Sequence, residues 1–265
     1  MDVKRKEEIL RENIGELGSL LIAYSGGVDS SLLAGIAREV LGDRCLAVLL
    51  ESPVVPGAAV RQAQETAAGL GIPFEVISVP LMDEKAFLTN PADRCYHCKK
   101  VSARVLKRRA EQAGLGWVAD GVNSSDSGEH RPGIRAGDEE GIIHPFMEAG
   151  VTKAEIREMA RRRGYSFWNL PSAACLSSRI PYGEEITAGK LQMIERAEEH
   201  LRGLGFTQVR VRLHGQVARI EVIPDEMERL FLERREIAGA FRSIGIRYVT
   251  LDLEGFRSGS MDEVL

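Results

Sequence analysis

Two hydrophobic rhythms alternate along the first two thirds of this chain. Short runs at 20–24 and 45–50 are apolar at nearly every position, and each ends at polar, glycine or proline residues. Such a run predicts a strand buried on both faces, because it leaves no side for water. Between the runs, apolar residues recur every three or four positions, as with Leu32, Leu33, Ile36 and Val40. That spacing covers one face of a helix, and it predicts helices over 3–17, 31–41, 57–70, 98–112 and 152–163. Further strands are expected at 74–79 and 117–120. Strands alternating with helices predict a parallel, doubly wound α/β sheet, whose ligands lie beyond the carboxyl ends of its strands.

The rhythm changes near Trp168-Asn169-Leu170-Pro171. A helix over 187–203 is followed by a strict alternation at 207–213, with Val209, Val211 and Leu213 on one face and Arg210 and Arg212 on the other. A second strand at 217–222 pairs with it across the glycine-containing turn 214–216. A helix over 225–244 and a strand over 247–251 complete a smaller α/β domain. The chain is therefore divided into a larger domain at 1–170 and a C-terminal domain at 171–265.

Composition narrows the class. With 265 residues, 28% of them charged, and a net charge of -4, the bulk composition carries no bias toward nucleic acid. No apolar run approaches the ~18 residues of a membrane span, and the N-terminus lacks a signal peptide's apolar core. Four cysteines without an export signal read as thiols or metal ligands and not as disulfides. A soluble cytoplasmic protein is expected.

The first candidate chemistry lies between the first strand and its helix, in Ser25-Gly26-Gly27-Val28-Asp29-Ser30. A strand, a glycine turn and a helix N-terminus form an anion site, where unpaired backbone N–H groups and the helix dipole favour negative charge. No Gly-Lys-Ser or Gly-Lys-Thr follows, so the loop lacks the cation of a Walker A loop. Ser25, Ser30 and Ser31 offer hydroxyls, Gly26 and Gly27 admit phosphate close to the backbone, and Asp29 can hold magnesium. This element resembles the loop of N-type ATP pyrophosphatases, which split ATP into AMP and pyrophosphate. Two other strand ends point to the same place. Residues 49–52 lie where an adenosine could sit, and Asp120-Gly121-Val122-Asn123-Ser124-Ser125-Asp126, with 131–135, is dense enough in polar groups for phosphate and magnesium.

The cysteines supply the second. Cys95 and Cys98 form a C-x-x-C, and Cys175 lies in the C-terminal domain. The spacing alone leaves zinc, redox and iron–sulfur chemistry open. Cys45 opens a buried strand and reads as packing, and His97 as a loop residue. Three thiolates without a fourth suit an iron–sulfur cluster with one open iron.

Taken together, the loop at 25–30, Asp-Arg-Cys-Tyr-His-Cys-Lys at 93–99, Pro-Ser-Ala-Ala-Cys-Leu-Ser-Ser-Arg at 171–179, Arg-Val-Arg-Leu-His-Gly at 210–215 and Leu-Asp-Leu-Glu-Gly-Phe-Arg-Ser-Gly-Ser at 251–260 resemble the LarE family over the whole chain. These are ATP-dependent sulfur transferases that help build the nickel-pincer cofactor of lactate racemase. The resemblance implies a substrate, pyridinium-3,5-biscarboxylic acid mononucleotide, whose carboxylates are adenylated by ATP with magnesium and converted to thiocarboxylates. It implies that Ser178, Arg179, Arg210 and Arg212 bind the substrate's phosphate. Sulfur comes either through a 4Fe-4S cluster on Cys95, Cys98 and Cys175 or from Cys175 itself, consumed in the reaction; the C-x-x-C favours the cluster. A homo-oligomer without nucleic acid or membrane is expected. Two other functions remain open, thiolation of a tRNA base and a non-catalytic nucleotide sensor.

Overall fold

In the computed structural model, which describes residues 2–126, 132–171, 175–257 and 260–261, the two rhythms become two sheets with their helices. In chain order the elements are α1 (Val3–Leu17), β1 (Leu20–Tyr24), α2 (Val28–Leu41), β2 (Cys45–Glu51), α3 (Gly57–Leu70), β3 (Phe74–Ser78), α4 (Lys85–Leu88), α5 (Arg94–Gln112) and β4 (Val118–Ala119). There follow α6 (Pro132–Glu139), α7 (Pro145–Glu148), α8 (Lys153–Arg162), α9 (Ala188–Gly203), β5 (Val209–His214), β6 (Val217–Val222), α10 (Met227–Leu232), α11 (Arg234–Ile244) and β7 (Tyr248–Leu251). Two compact units result. One runs to Asp83 and resumes at Asp93; the other comprises Glu84–Ala92 and the chain after residue 173.

The first unit is the expected parallel α/β sheet, in the order β3-β2-β1-β4. Alternate residues explain why its strands are apolar throughout. Leu20, Ile22 and Tyr24 of β1, with Cys45, Ala47 and Leu49 of β2, join one core with α1, α2, α3 and α8. Leu21, Leu46 and Val48 join another, with Ala103, Leu106 and Ala110 of α5. The chain lays β2 and β3 to one side of β1 and returns to place β4 on the other. The strand order therefore reverses at the carboxyl ends of β1 and β4, where a crevice opens in such sheets.

The second unit holds a three-stranded sheet, β5-β6-β7, with β5 and β6 antiparallel and β6 and β7 parallel. Glu84–Ala92 belongs to it for a clear reason. Buried Asn90 donates its side-chain amide to the carbonyls of Ile180 (3.2 Å) and Pro181 (2.7 Å), and its own carbonyl accepts from Gly183 N.

Several boundaries differ from the sequence reading. α2 begins at Val28, capped by Gly27, three residues earlier than expected. α5 begins at Arg94 and not at Cys98, so Cys95 and His97 also lie on the helix and not in a loop. Residues 132–135 open α6, and the helix expected over 225–244 is two helices parted at Glu233. Arg131 and residues 172–174 and 258–259 of the motifs quoted above lie outside the described residues. No helix among the described residues is long and apolar enough to cross a membrane.

Candidate active site

The crevice at the ends of β1 and β4 is a cleft of about 550 Å³, lined by Ser25, Asp29, Ser30, Lys99, the Asp120–Asp126 turn and Lys153. The glycine loop contributes Ser25, Asp29 and Ser30 to its wall, while Gly26 and Gly27 lie outside the lining. Ser25 and Ser30 hydroxyls lie 3.1 Å apart, Ser30 Oγ donates to Gly27 O (3.2 Å), and Gly27 N donates to Ser25 Oγ (3.4 Å). Gly26 has φ 72°, and a Cβ there would stand 2.6 Å from Ala63 Cβ. A Cβ on Gly121 would stand 3.0 Å from both Asp29 Cβ and Ser30 N, so Gly26 seats the loop against α3 and Gly121 brings the β4 turn against the loop. Ser31 departs from its expected role. One turn into α2 it faces the core, fully buried, and donates to Tyr24 Oη (3.1 Å).

Cations reach this cleft from elsewhere in the chain. Lys153 Nζ donates to Asp29 Oδ2, while Asp29 Oδ1 is buried and has no hydrogen-bond partner among the described residues. An orphaned carboxylate oxygen on a residue that lines a polar cleft fits a magnesium ligand. Lys153 is the first residue of α8, set by a capping box between Thr152 and Glu155, and its backbone N donates to Ser125 Oγ (3.0 Å). Lys99 Nζ donates to Asp120 Oδ2 (2.6 Å), and buried His144 bridges Asp120 Oδ1 (2.6 Å) and Asp138 Oδ1 (3.0 Å). Burial alone raises the Asp120 pKa, but the His144 hydrogen bond and the Lys99 charge outweigh it and hold the carboxyl at about 2. Burial lowers that of His144, and its two carboxylate partners raise it above the ordinary value on balance.

α5 connects the cysteines to this cleft. Cys95 is exposed and Cys98 half-buried in its first turns, where the helix dipole favours a thiolate, and Lys99 follows directly. Cys45 is buried, donates to Gly42 O (3.2 Å), and burial pushes its thiol up to about 11, which suits packing and not ligation. Among the described residues, no group of three or more His, Cys, Asp or Glu stands together as a metal site.

The second unit presents Cys175, with its thiol exposed and 2.6 Å from Ser177 Oγ. Its backbone carbonyl is gripped from three directions, by Ser178 N (3.2 Å), Ser178 Oγ (2.8 Å) and Arg179 Nη1 (2.9 Å). Arg179 is itself fixed on buried Glu198 through Nε (2.9 Å) and Nη2 (3.2 Å). Arg212 donates twice to buried Glu221 (3.0 and 2.9 Å) and once to Ser178 O (3.0 Å). Arg210 and Arg212 share a strand face, as alternation predicts, but two of the four expected phosphate binders spend their forks on carboxylates. Arg179 and Arg212 brace the Cys175 turn.

Arg210 differs. It is half-buried against the Phe256 ring, and its one hydrogen bond among the described residues goes to Val209 O (2.9 Å). Burial and the charges of Arg179 and Arg212 lower its pKa to about 10, against the opposite pull of Glu198. A guanidinium so crowded by like charge favours an anion nearby. Removing Arg212 is a different matter. Arg212→Ala leaves Glu221 buried with Arg219 and Ser260 as its side-chain partners among the described residues, and we expect it to cost about 3–5 kcal/mol in urea unfolding. Arg210→Ala should leave the unfolding midpoint nearly unchanged.

Comparison with known proteins identifies the lineage. Residues 3–112 match the NAD synthase family. Uncharacterized protein slr1717 of Synechocystis is 42% identical over 99% of both chains. The pyridinium-3,5-bisthiocarboxylic acid mononucleotide synthase of Lactiplantibacillus plantarum is 33% identical over 98% of this chain and 95% of its own. The chain belongs to the LarE family. Its reaction class is accordingly ATP-dependent sulfur transfer, and the ATP pyrophosphatase fold expected for LarE proteins is the one observed.

Within this LarE protein the structure brings Ser25, Asp29, Ser30 and Gly121 to one cleft and leaves residues 49–52 outside its lining, with Leu49 in the core. Sequence reasoning missed Lys99, Lys153 and His144. The available signal for Lys153 was its place beside the capping Thr152, which puts a cation at a helix start where anions collect.

Proposed function

We propose that this protein adenylates the carboxylates of pyridinium-3,5-biscarboxylic acid mononucleotide with ATP and converts them to thiocarboxylates. The observation that carries the reading is the cleft at the strand-order reversal, with a glycine loop, an unpaired Asp29 oxygen and two lysines. A carboxylate resists attack by sulfur because oxide is a poor leaving group. Its oxygen therefore attacks the α-phosphorus of ATP, and pyrophosphate leaves with the bonding pair. Asp29 would hold magnesium, which offsets charge on the departing phosphates. Backbone N–H groups at the start of α2, with Ser25 and Ser30, orient them. Sulfur then attacks the acyl carbon, AMP leaves with the bonding pair, and one oxygen has been exchanged for sulfur. A second round treats the other carboxylate.

Cys175 is the group we assign to the sulfur step. Cys95, Cys98 and Cys175 would hold a 4Fe-4S cluster, which would supply sulfide without consuming the protein. The thiolate-favouring start of α5 supports that assignment for the first two. Arg210 would take the substrate's phosphate, supported by its spare donors and crowded charge. Arg210→Ala should weaken mononucleotide binding by ~1.5–3 kcal/mol, the scale of a charge-assisted hydrogen bond, and leave ATP affinity intact in calorimetry.

The test is anaerobic incubation with ATP, magnesium, sulfide and the mononucleotide, followed by pyrophosphate assay and mass spectrometry. Pyrophosphate release that depends on the mononucleotide, with oxygen replaced by sulfur in the product, is expected. Release that instead requires tRNA would transfer the activity to RNA thiolation, and no release at all would leave a sensor.

A further inference from the structure

We propose that Lys153 is a displaceable counter-ion, which competes with a divalent cation for Asp29 and passes to phosphate oxygens when metal and nucleotide bind together. The inference rests on the nucleotide reading of the cleft given above. Lys153 Nζ contacts Asp29 Oδ2, and the carboxylate's other oxygen is buried without a partner among the described residues. A metal ion drawn to that oxygen meets an ammonium on the same carboxylate. The two cations repel, so each lowers the other's affinity for Asp29.

Phosphate reverses the sign. It supplies oxygens for both cations, so the ammonium can leave Asp29 without losing a charged partner. The geometry permits that exchange. The Lys153 backbone is pinned by Ser125 Oγ and the capping box, while its side chain is about one third exposed and flexible. Lys6 holds the same helix end through Glu155 (2.8 Å) and Gly150 O (2.6 Å), so only the side chain need move. Lys99 is placed differently. Its partner Asp120 is also bound by His144, and the two carboxylate oxygens are both in use. The lysine absent from the glycine loop is thus supplied from residue 153, and it arrives already paired with the loop's own acid.

The signature is a pair of effects of opposite sign. Manganese binding, read by electron paramagnetic resonance, is compared in wild type and Lys153→Met, with and without pyrophosphate. Lys153→Met should bind manganese alone about tenfold more tightly, and manganese–pyrophosphate about tenfold more weakly, within the usual range of coupling between two sites. Lys153→Arg, which keeps the charge, should stay nearer wild type on both measures. Loss of both affinities would make Lys153 a structural support, and unchanged manganese affinity would make it a plain phosphate ligand; either overturns the exchange. Should wild type bind neither manganese nor manganese–pyrophosphate, the nucleotide reading itself would fall with it.

Discussion

Asp29→Asn should keep the fold and lower pyrophosphate release by on the order of 10³-fold. The substitution is nearly isosteric, so the loop hydrogen bonds among Ser25, Gly27 and Ser30 survive. What disappears is the charge. If the single amide oxygen keeps the Lys153 hydrogen bond, an NH2 group replaces Oδ1 and cannot ligate magnesium; in the flipped amide a neutral oxygen replaces Oδ1 and the NH2 group faces the ammonium. The loop carries no lysine of its own, so its charge neutralisation depends on the metal and on cations from outside the loop. Asp120 cannot easily substitute, because Lys99 and His144 already occupy both its oxygens. Pyrophosphate assays beside a thermal melt check the result. Near-normal turnover in a folded variant would move the metal to another carboxylate.

How much of this was legible depends on whether the signal was local. The apolar runs of β1 and β2 fix buried strands, because both faces lie against helices, and the alternation in β5 correctly sets Val209, Val211 and Leu213 inward. The start of α5 was not legible, since Arg94-Cys95-Tyr96-His97 carries no apolar period and its contacts are with α6, as in Tyr96 Oη to Glu139. Lys153 and Asp29 are 124 residues apart, and only the return of the chain after β4 makes them partners. His144 likewise acquires meaning from Asp120, 24 residues before it. Arg212 shows how a local rule can be right about a face and silent about its use. β5 and β6 pair Arg210 with Glu221 and Arg212 with Arg219 directly, and Arg212 takes the diagonal carboxylate. An Arg-x-Arg facing an Arg-x-Glu across a hairpin is a sequence signal for that ion pair. The placement of Glu84–Ala92 in the second unit had no such signal, because it depends on the left-handed turn at Asn90 and carbonyls 90 residues downstream.

Cys175→Ser should continue to release pyrophosphate and form no thiocarboxylate. The variant is clean because the Cys175 carbonyl and Ser178 O take the contacts from Arg179 and Arg212, and a serine hydroxyl can keep the thiol's contact with Ser177 Oγ. The cleft of the first unit, to which adenylation is assigned in the proposed function, is untouched. Both routes for sulfur require this result, so the decisive variant lies elsewhere, at Cys95. If Cys175 is consumed, its thiolate displaces AMP to form a thioester. Loss of its Cα proton to a base then breaks the Cβ–S bond, leaving dehydroalanine in the protein and thiocarboxylate on the substrate. That sequence never calls on Cys95 or Cys98. If the three cysteines jointly hold a cluster, Cys95→Ser abolishes sulfur transfer as fully as Cys175→Ser does. Iron content falls with it, while pyrophosphate release persists. We expect the second outcome, because Cys95 and Cys98 sit in the first turns of α5 beside Lys99, which lines the cleft of the first unit, and nothing in the proposed adenylation needs thiols there. A Cys95→Ser protein that still transfers one sulfur per chain, and whose mass drops by one H₂S at Cys175, would establish the consumed cysteine instead.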